Sequence, residues 1–203
     1  GIRVLLVKQD AIRSLGQFAH GKHDVKVGIV TQHAKQEAYN VVAWVPGKKT
    51  DQGAVVITAH YDHLGSIGDA KFVGANDNAS GVAFLLSIAE HVQKRGGYDV
   101  PVIFIACGGE EAGLHGSQHY ALKDPLYPLE MSSVCLNFDL LGYGSEGVMV
   151  VGGKKWKAKY RHLKQVSENQ GGKFQFKARP NAPNSDHYPF TLQGVPGLFF
   201  YAM

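Results

Sequence analysis

The chain has 203 residues, 44% of them hydrophobic and 19% charged, which is the length of one domain with a sizeable core and a composition that excludes disordered and fibrous chains. No apolar run approaches the roughly 20 residues that cross a bilayer. Lysine and arginine exceed aspartate and glutamate by four, 21 against 17, and the cations are scattered, which speaks against a nucleic-acid surface.

In chain order, GIRVLLV reads as a short strand and DAIRSLGQFA as a helix capped by Asp10. DVKVGIVTQ, AYNVVAWVPG and GAVVITAH follow, three segments rich in Val, Ile and Thr that read as strands. A loop of Gly, Asp and Asn runs from Tyr61 to Ser80. The helix SGVAFLLSIAEHVQKRG places Val82, Leu85, Leu86 and Ala89 along one face and closes on paired glycines. VPVIFIAC is apolar throughout, the pattern of a strand covered on both faces. After it come a helix around LHGSQHYAL, the strands SVCLNFDL and GVMVVGG, and the amphipathic helix KWKAKYRHLKQVSENQ. KFQFKA, a loop APNSDHYPF that starts a helix, and the strand GVPGLFFYAM complete the order.

The basic run KKWKAKYRHLK reads as the solvated face of its helix. Cys107 and Cys135 lie in apolar segments and read as buried free thiols, with a disulfide between neighbouring strands as the alternative. Strands alternating with helices predict an α/β fold, a three-layer α/β/α sandwich around a mostly parallel, mixed central sheet. In such sheets ligands bind at the carboxyl ends of strands.

Each apolar strand runs directly into acids or histidines: GAVVITAH into His60, Tyr61, Asp62 and His63, VPVIFIAC into Glu110 and Glu111, SVCLNF into Asp139. Asp77 in GANDNASG and His187 in NSDHYPF join them from loops. A single such residue is most often a cap; five positions converging on one sheet edge are not explained that way. Glu110 and Glu111 side by side repel one another, which implies a cation in front of them. Two histidines with several carboxylates suit a borderline cation such as zinc, whereas an all-oxygen set favours calcium or magnesium. Three or more carboxylates over-supply one ion, so two ions sharing a bridging carboxylate fit better.

In this order, HYDH, GANDNASG, GGEEAGLHGS, NFDLLG and SDHYPF resemble the motifs of metallopeptidase family 28. That family contains co-catalytic di-zinc aminopeptidases, and its wider relatives include glutamate carboxypeptidase, glutaminyl cyclase and the transferrin receptor. The resemblance implies a zinc-exopeptidase-like fold over 1–203, two Zn2+ ions, and hydrolysis of N-terminal peptide bonds on substrates with a free N-terminus. Position by position it implies that His60 and Asp139 bind one zinc, Glu111 and His187 the other, and that Asp77 bridges them. Glu110 is then the general base, taking a proton from the attacking water and handing it to the leaving amine. Asp62 is implied to fix the tautomer of His60, and the peptide bond after Asp77 to be cis, with small neighbours making room. His63, His115 and His119 receive no metal role.

The resemblance also implies a secreted, periplasmic or cell-surface location. It predicts that residues 1–35 are the remnant of an upstream or inserted segment, and that the family domain continues beyond GVPGLFFYAM. Where some relatives carry an oxyanion-stabilising Tyr before the last histidine, this chain has Asp186; Tyr188 and Tyr143 are candidates for that task without matching its position. Phe190, Phe199 and Tyr201 read as core in preference to a specificity pocket. Two rival functions stand beside the aminopeptidase: single-zinc cyclisation of N-terminal Gln, and a non-catalytic binding domain on the same scaffold.

Overall fold

The computed structural model describes residues 9–16, 20–21, 24, 26, 28, 35, 37–49 and 53–203. The chain divides into two units, Gly1–Gln36 and Glu37–Met203. Among the described residues of the first unit is one helix, α1 (Gln9–Leu15), whose start puts Asp10 inside its first turn and not at the cap. The strand read at GIRVLLV lies outside the described residues. Of DVKVGIVTQ only Asp24, Lys26 and Gly28 are described, and they carry no regular structure.

The second unit runs β1 (Val41–Val45), β2 (Ala54–His60), a small hairpin β3 (Ser66–Ile67) and β4 (Ala70–Lys71), α2 (Ser80–Lys94), β5 (Val102–Cys107), α3 (His115–Leu122) and β6 (Ser132–Phe138). It continues with β7 (Val148–Val151), α4 (Lys157–Asn169), β8 (Phe176–Ala178), α5 (His187–Leu192) and β9 (Gly197–Ala202). Seven strands form one sheet in the order β1-β5-β2-β6-β9-β7-β8. Neighbours pair parallel at β5-β2, β2-β6, β6-β9 and β7-β8 and antiparallel at β1-β5 and β9-β7, so the sheet is mixed and mostly parallel.

The apolar run of β5 is sorted by the pleat. Ile103, Ile105 and Cys107 pack with Tyr120 of α3 and Phe190 of α5, while Val102 and Phe104 pack with Leu85 and Val92 of α2. Trp156, Tyr160 and Leu163, at the start of α4 and along it, join the second cluster, and most of the lysines and arginines of that segment face solvent. Helices thus cover both faces of the sheet. On α2 the buried face passes through Val82, Leu85, Ala89 and Val92; Leu86 is 60% exposed, off the face that its spacing suggested. Phe190 and Phe199 are core, and both cysteines are buried and free. The strands of those cysteines are not neighbours, because β2 lies between them.

From β2 the chain crosses through α2 to β5 on one side, then returns through α3 to β6 on the other. The winding therefore reverses at β2. In open α/β sheets such a reversal leaves a crevice at the carboxyl ends of the two strands that flank it. Here those ends are His60 and the residue after Phe138, which is Asp139.

Candidate metal centre

The register that pairs Thr58 with Asn137 brings His60 and Asp139, each two residues further on, to the same level. His60 Nε2 lies 3.4 Å from Asp139 Oδ1 and 3.1 Å from Asp77 Oδ1. His60 Nε2 and Asp139 Oδ1 are buried, yet neither has a hydrogen-bond partner. They converge on a common point without bonding to each other, an arrangement suited to a shared ligand. A second group forms around Asp77 from the other side, with His63 and Glu111. There His63 Nδ1 donates to Glu111 Oε1 at 2.7 Å. Each group offers one imidazole, and Asp77 belongs to both.

The local sequence explains how these side chains are held. Asp77 enters through a cis peptide bond to Asn78. The buried Asn78 side chain accepts from the amides of Gly81 at 2.9 Å and Leu140 at 3.3 Å, and donates to Phe138 O at 3.0 Å. It therefore ties the loop bearing Asp77 to the end of β6, where Asp139 sits. Asn76 and Ser80 add to this tie by accepting from the amides of Gly142 at 2.7 Å and Leu141 at 2.9 Å. Gly81 must be glycine, since a Cβ there would lie 2.3 Å from both Asn78 Oδ1 and Phe138 O.

Glu110 and Glu111 follow a turn in which Gly109 takes a φ of 74°, open to glycine at little cost. The Asp62 carboxylate accepts from the amide of Glu110 at 3.0 Å and from that of Glu111 at 3.1 Å. Its backbone carbonyl, not its carboxylate, is the closer partner of His60 Nδ1, at 3.0 Å against 3.8 Å. The tautomer is thus set by the main chain of Asp62, leaving the carboxylate free to hold the turn with the two acids.

The electrostatics of the site call for a cation. Burial alone would lower His60, but contact with Asp139 and the charges of Asp139, Glu110 and Asp186 raise it to about 10. Burial raises Glu110 to about 8 against the opposing charge of His60, with Asp186, Asp139 and Glu111 pushing the same way as burial. Asp77 is raised by burial and by Asp139. Burial raises Asp186 to about 6, against the opposing effects of Ser117 and the charge of His60. An imidazole that holds its proton and acids that resist losing theirs mark a cluster short of positive charge. Imidazoles with carboxylates make a donor set that fits zinc. Beside His63 opens a cavity of about 380 Å3 whose apolar lining includes Tyr61, Val73, Val82 and Leu86.

The structure brings together His60, Asp77 and Asp139, and through Asp77 it adds Glu111. His187 is in neither of these two groups. It is buried, with its ring 5.6 Å from that of Phe199, and burial lowers it to about 4. Its position as the first residue of α5 turns it into the packed layer. His63, which the motif comparison left without a role, is the imidazole of the second group; the signal was its place three residues after His60 in HYDH. His115 and His119 are exposed on α3. Tyr143 is 86% exposed, and Tyr188 lies with its ring beside His187. The buried Asn78 and Ser185 were not singled out by residue type, since each gains significance only from what lies next to it.

The chain is 28% identical to aminopeptidase YwaD of Bacillus subtilis, over 98% of its own length and 42% of that protein. It is 32% identical to the probable lipoprotein aminopeptidase LpqL of Mycobacterium tuberculosis, over 88% of its length and 37% of that protein. The chain thus spans about two fifths of these relatives. Among solved structures it resembles a zinc aminopeptidase of Bacillus subtilis, with a TM-score of 0.66 and 29% identity over 80% of this chain and 39% of that one. It also resembles a glutaminyl cyclase of an Acidobacteriales bacterium, with a TM-score of 0.67 and 27% identity over 80% and 57%. The pattern of Peptidase family M28 matches residues 40–202, and with the metal-ligand groups at the sheet's switch point this establishes that the chain belongs to that family.

Proposed function

We propose that the protein is a two-zinc aminopeptidase that cleaves the first peptide bond of substrates with a free N-terminus. The observation that carries this reading is the pair of ligand groups that share Asp77. His60 and Asp139 would hold one ion and Glu111 the other, with His63 as the imidazole on that side and Asp77 between them. When bound, such a pair supplies an acidified water and a positive centre that polarises the scissile carbonyl.

The chain's own residues do the rest. Glu110 stands next to Glu111 on the turn held by Asp62, and its carboxylate lies close enough to His60, Asp139 and Glu111 to feel their charges, without being needed as a ligand. It takes the proton of the attacking water and returns it to the departing amine, the part of a general base and acid beside the reacting bond. The apolar cavity beside His63 gives a substrate side chain room next to the reacting bond. A location outside the cytoplasm belongs to the same proposal and is supported by the relative described as a lipoprotein aminopeptidase. Among the described residues no helix is long and apolar enough to cross a membrane.

The test pairs elemental analysis with hydrolysis of a leucyl chromophore before and after chelation. About two zinc ions per chain with chelator-sensitive hydrolysis supports the proposal. One ion, no hydrolysis and cyclisation of N-terminal Gln would replace it with the cyclase reading, which the structural likeness to a glutaminyl cyclase keeps in view. Neither metal nor turnover would leave a binding domain.

A further inference from the structure

Cations occur all along the chain, but their surplus comes from one segment. Residues 154–179 carry nine of the 21 lysines and arginines and a single acid, Glu168, out of 17. The rest of the chain holds 12 basic against 16 acidic residues, so the net positive charge of the molecule resides here. The segment is made of α4, β8 and the turns that lead into them. Lys157, Arg161, Lys164 and Lys173 are exposed, and among the described residues none of them pairs with an acid.

This segment closes the sheet on one side. β8 pairs only with β7, and among the described residues no strand lies on its outer side. Gln175 O and the Arg179 amide bond to β7, so by strand alternation the main chain of Phe176 and Ala178 points outward. Tyr160 Oη donates to Phe176 O at 2.8 Å, which occupies one acceptor of the edge and neither of its amides. The two faces of the edge differ. On the α4 side, Leu163 and Val166 with Phe174 and Phe176 line a groove of about 330 Å3, in which Lys173 is the only charged residue. Phe174 is 63% exposed and Val166 45%. Alternation turns Lys177 and Arg179 to the opposite face. There Lys177 Nζ lies 3.7 Å from Glu146, and Arg179 donates to Tyr201 Oη at 2.8 Å.

We propose that the outer edge of β8 binds an extended acidic segment of a partner protein, in which apolar side chains alternate with carboxylates. Laid beside β8 as an added strand, such a segment turns every second side chain to each face. Its apolar residues enter the groove between α4 and Phe174, and its carboxylates meet Lys177 and Arg179 on the other face. Lysine on a short edge strand discourages pairing with neutral or basic strands; the same charges select an acidic one. A lipid surface fits this geometry less well, because the apolar residues line a concavity instead of projecting from it. The inference does not depend on the two-zinc reading.

The test titrates the full chain into a dye-labelled peptide of alternating Glu and Leu, acetylated so that no free N-terminus is offered for hydrolysis, and follows its anisotropy. Saturable binding is expected, weakened by added salt and by roughly 10-fold when Gln replaces Glu or Ser replaces Leu. K173E/K177E and F174D alter exposed side chains, so circular dichroism and zinc content should match wild type while each weakens binding by roughly 10-fold. Absence of saturable binding, or wild-type affinity in both variants, overturns the inference. Equal binding of the peptide with Ser in place of Leu also overturns it, marking a general polyanion surface. Binding to phosphatidylglycerol vesicles without binding to the peptide reassigns the edge to a membrane contact. A dimer in sedimentation that F174D dissociates, with the peptide unbound, reassigns it to a second copy of the chain.

Discussion

The Asp62 carboxylate accepts a hydrogen bond from the main-chain amide of Glu110 at 3.0 Å, while its other oxygen takes the amide of Glu111. One side chain thus sets the place of both acids. Asp62→Asn keeps the shape but turns an NH2 group toward an amide N–H, so one of the two bonds is lost and the turn shifts. The expected outcome is a drop in kcat/KM of roughly 10–100-fold with unchanged circular dichroism. Unchanged kinetics would show that the turn is held by other contacts.

Glu110 and Asp77 should separate base from ligand. Glu110→Gln removes the proton carrier and leaves both ligand groups intact, so zinc content should stay at the wild-type level while kcat falls by about 100- to 10,000-fold. Asp77→Ala takes one carboxylate from both groups and should reduce bound metal at both positions, which elemental analysis reads directly. Retained turnover in E110Q would sink the assignment of the base.

Stability of the chelated protein should fall with rising pH. His60 is raised in the folded state from 6.5 to about 10, so its contribution is complete below 6.5 and is lost as pH climbs through 10. Glu110, raised from 4.5 to about 8, acts in the same direction and has lost its contribution once pH passes 8. His187 is lowered to about 4 and works oppositely, but only below 6.5. The window is therefore pH 6.5 to 10, where the melting temperature with chelator should decline; added zinc, taking the place of those protons, should flatten the decline. A melting temperature that rises with pH across this window contradicts the charge balance described above.

At Gly81 the main chain of α2 runs against the end of β6. Gly81→Ala forces a methyl group to 2.3 Å from Phe138 O and from the Asn78 amide, neither of which has room to move. Overpacking of this kind costs about 1–3 kcal/mol. Chemical denaturation should show that loss, with reduced metal uptake because Asn78 also carries the tie between Asp77 and Asp139. Wild-type stability in G81A would mean that the helix shifts freely.

The sequence by itself determined the order of elements and the chemistry of the site. Uniform apolar runs such as VIFIAC identify covered strands, and the acids and histidines after them identify the sheet edge where they collect, because a strand buried on both faces can turn polar only where it ends. The gathering of His60, Glu111 and Asp139 was legible for that reason, and Asp77 with the cis bond after it through their motif.

Only the tertiary structure decided which imidazole meets Glu111, since His63 and His187 are equally good ligands by residue type. The choice follows from direction: His63 extends from the loop after β2 toward the crevice, while His187 begins a helix whose packing draws it into the core. The same holds for Leu86, which helical spacing placed on a buried face and the packing of α2 left in solvent. It holds also for Ser185, an ordinary residue in sequence whose hydroxyl accepts from Asn137 and donates to Asp139 only because the fold brings those two side chains to it. Periodicity and residue type act along the chain; the partner of a buried polar atom is fixed across it, by register and helix packing that no local stretch contains.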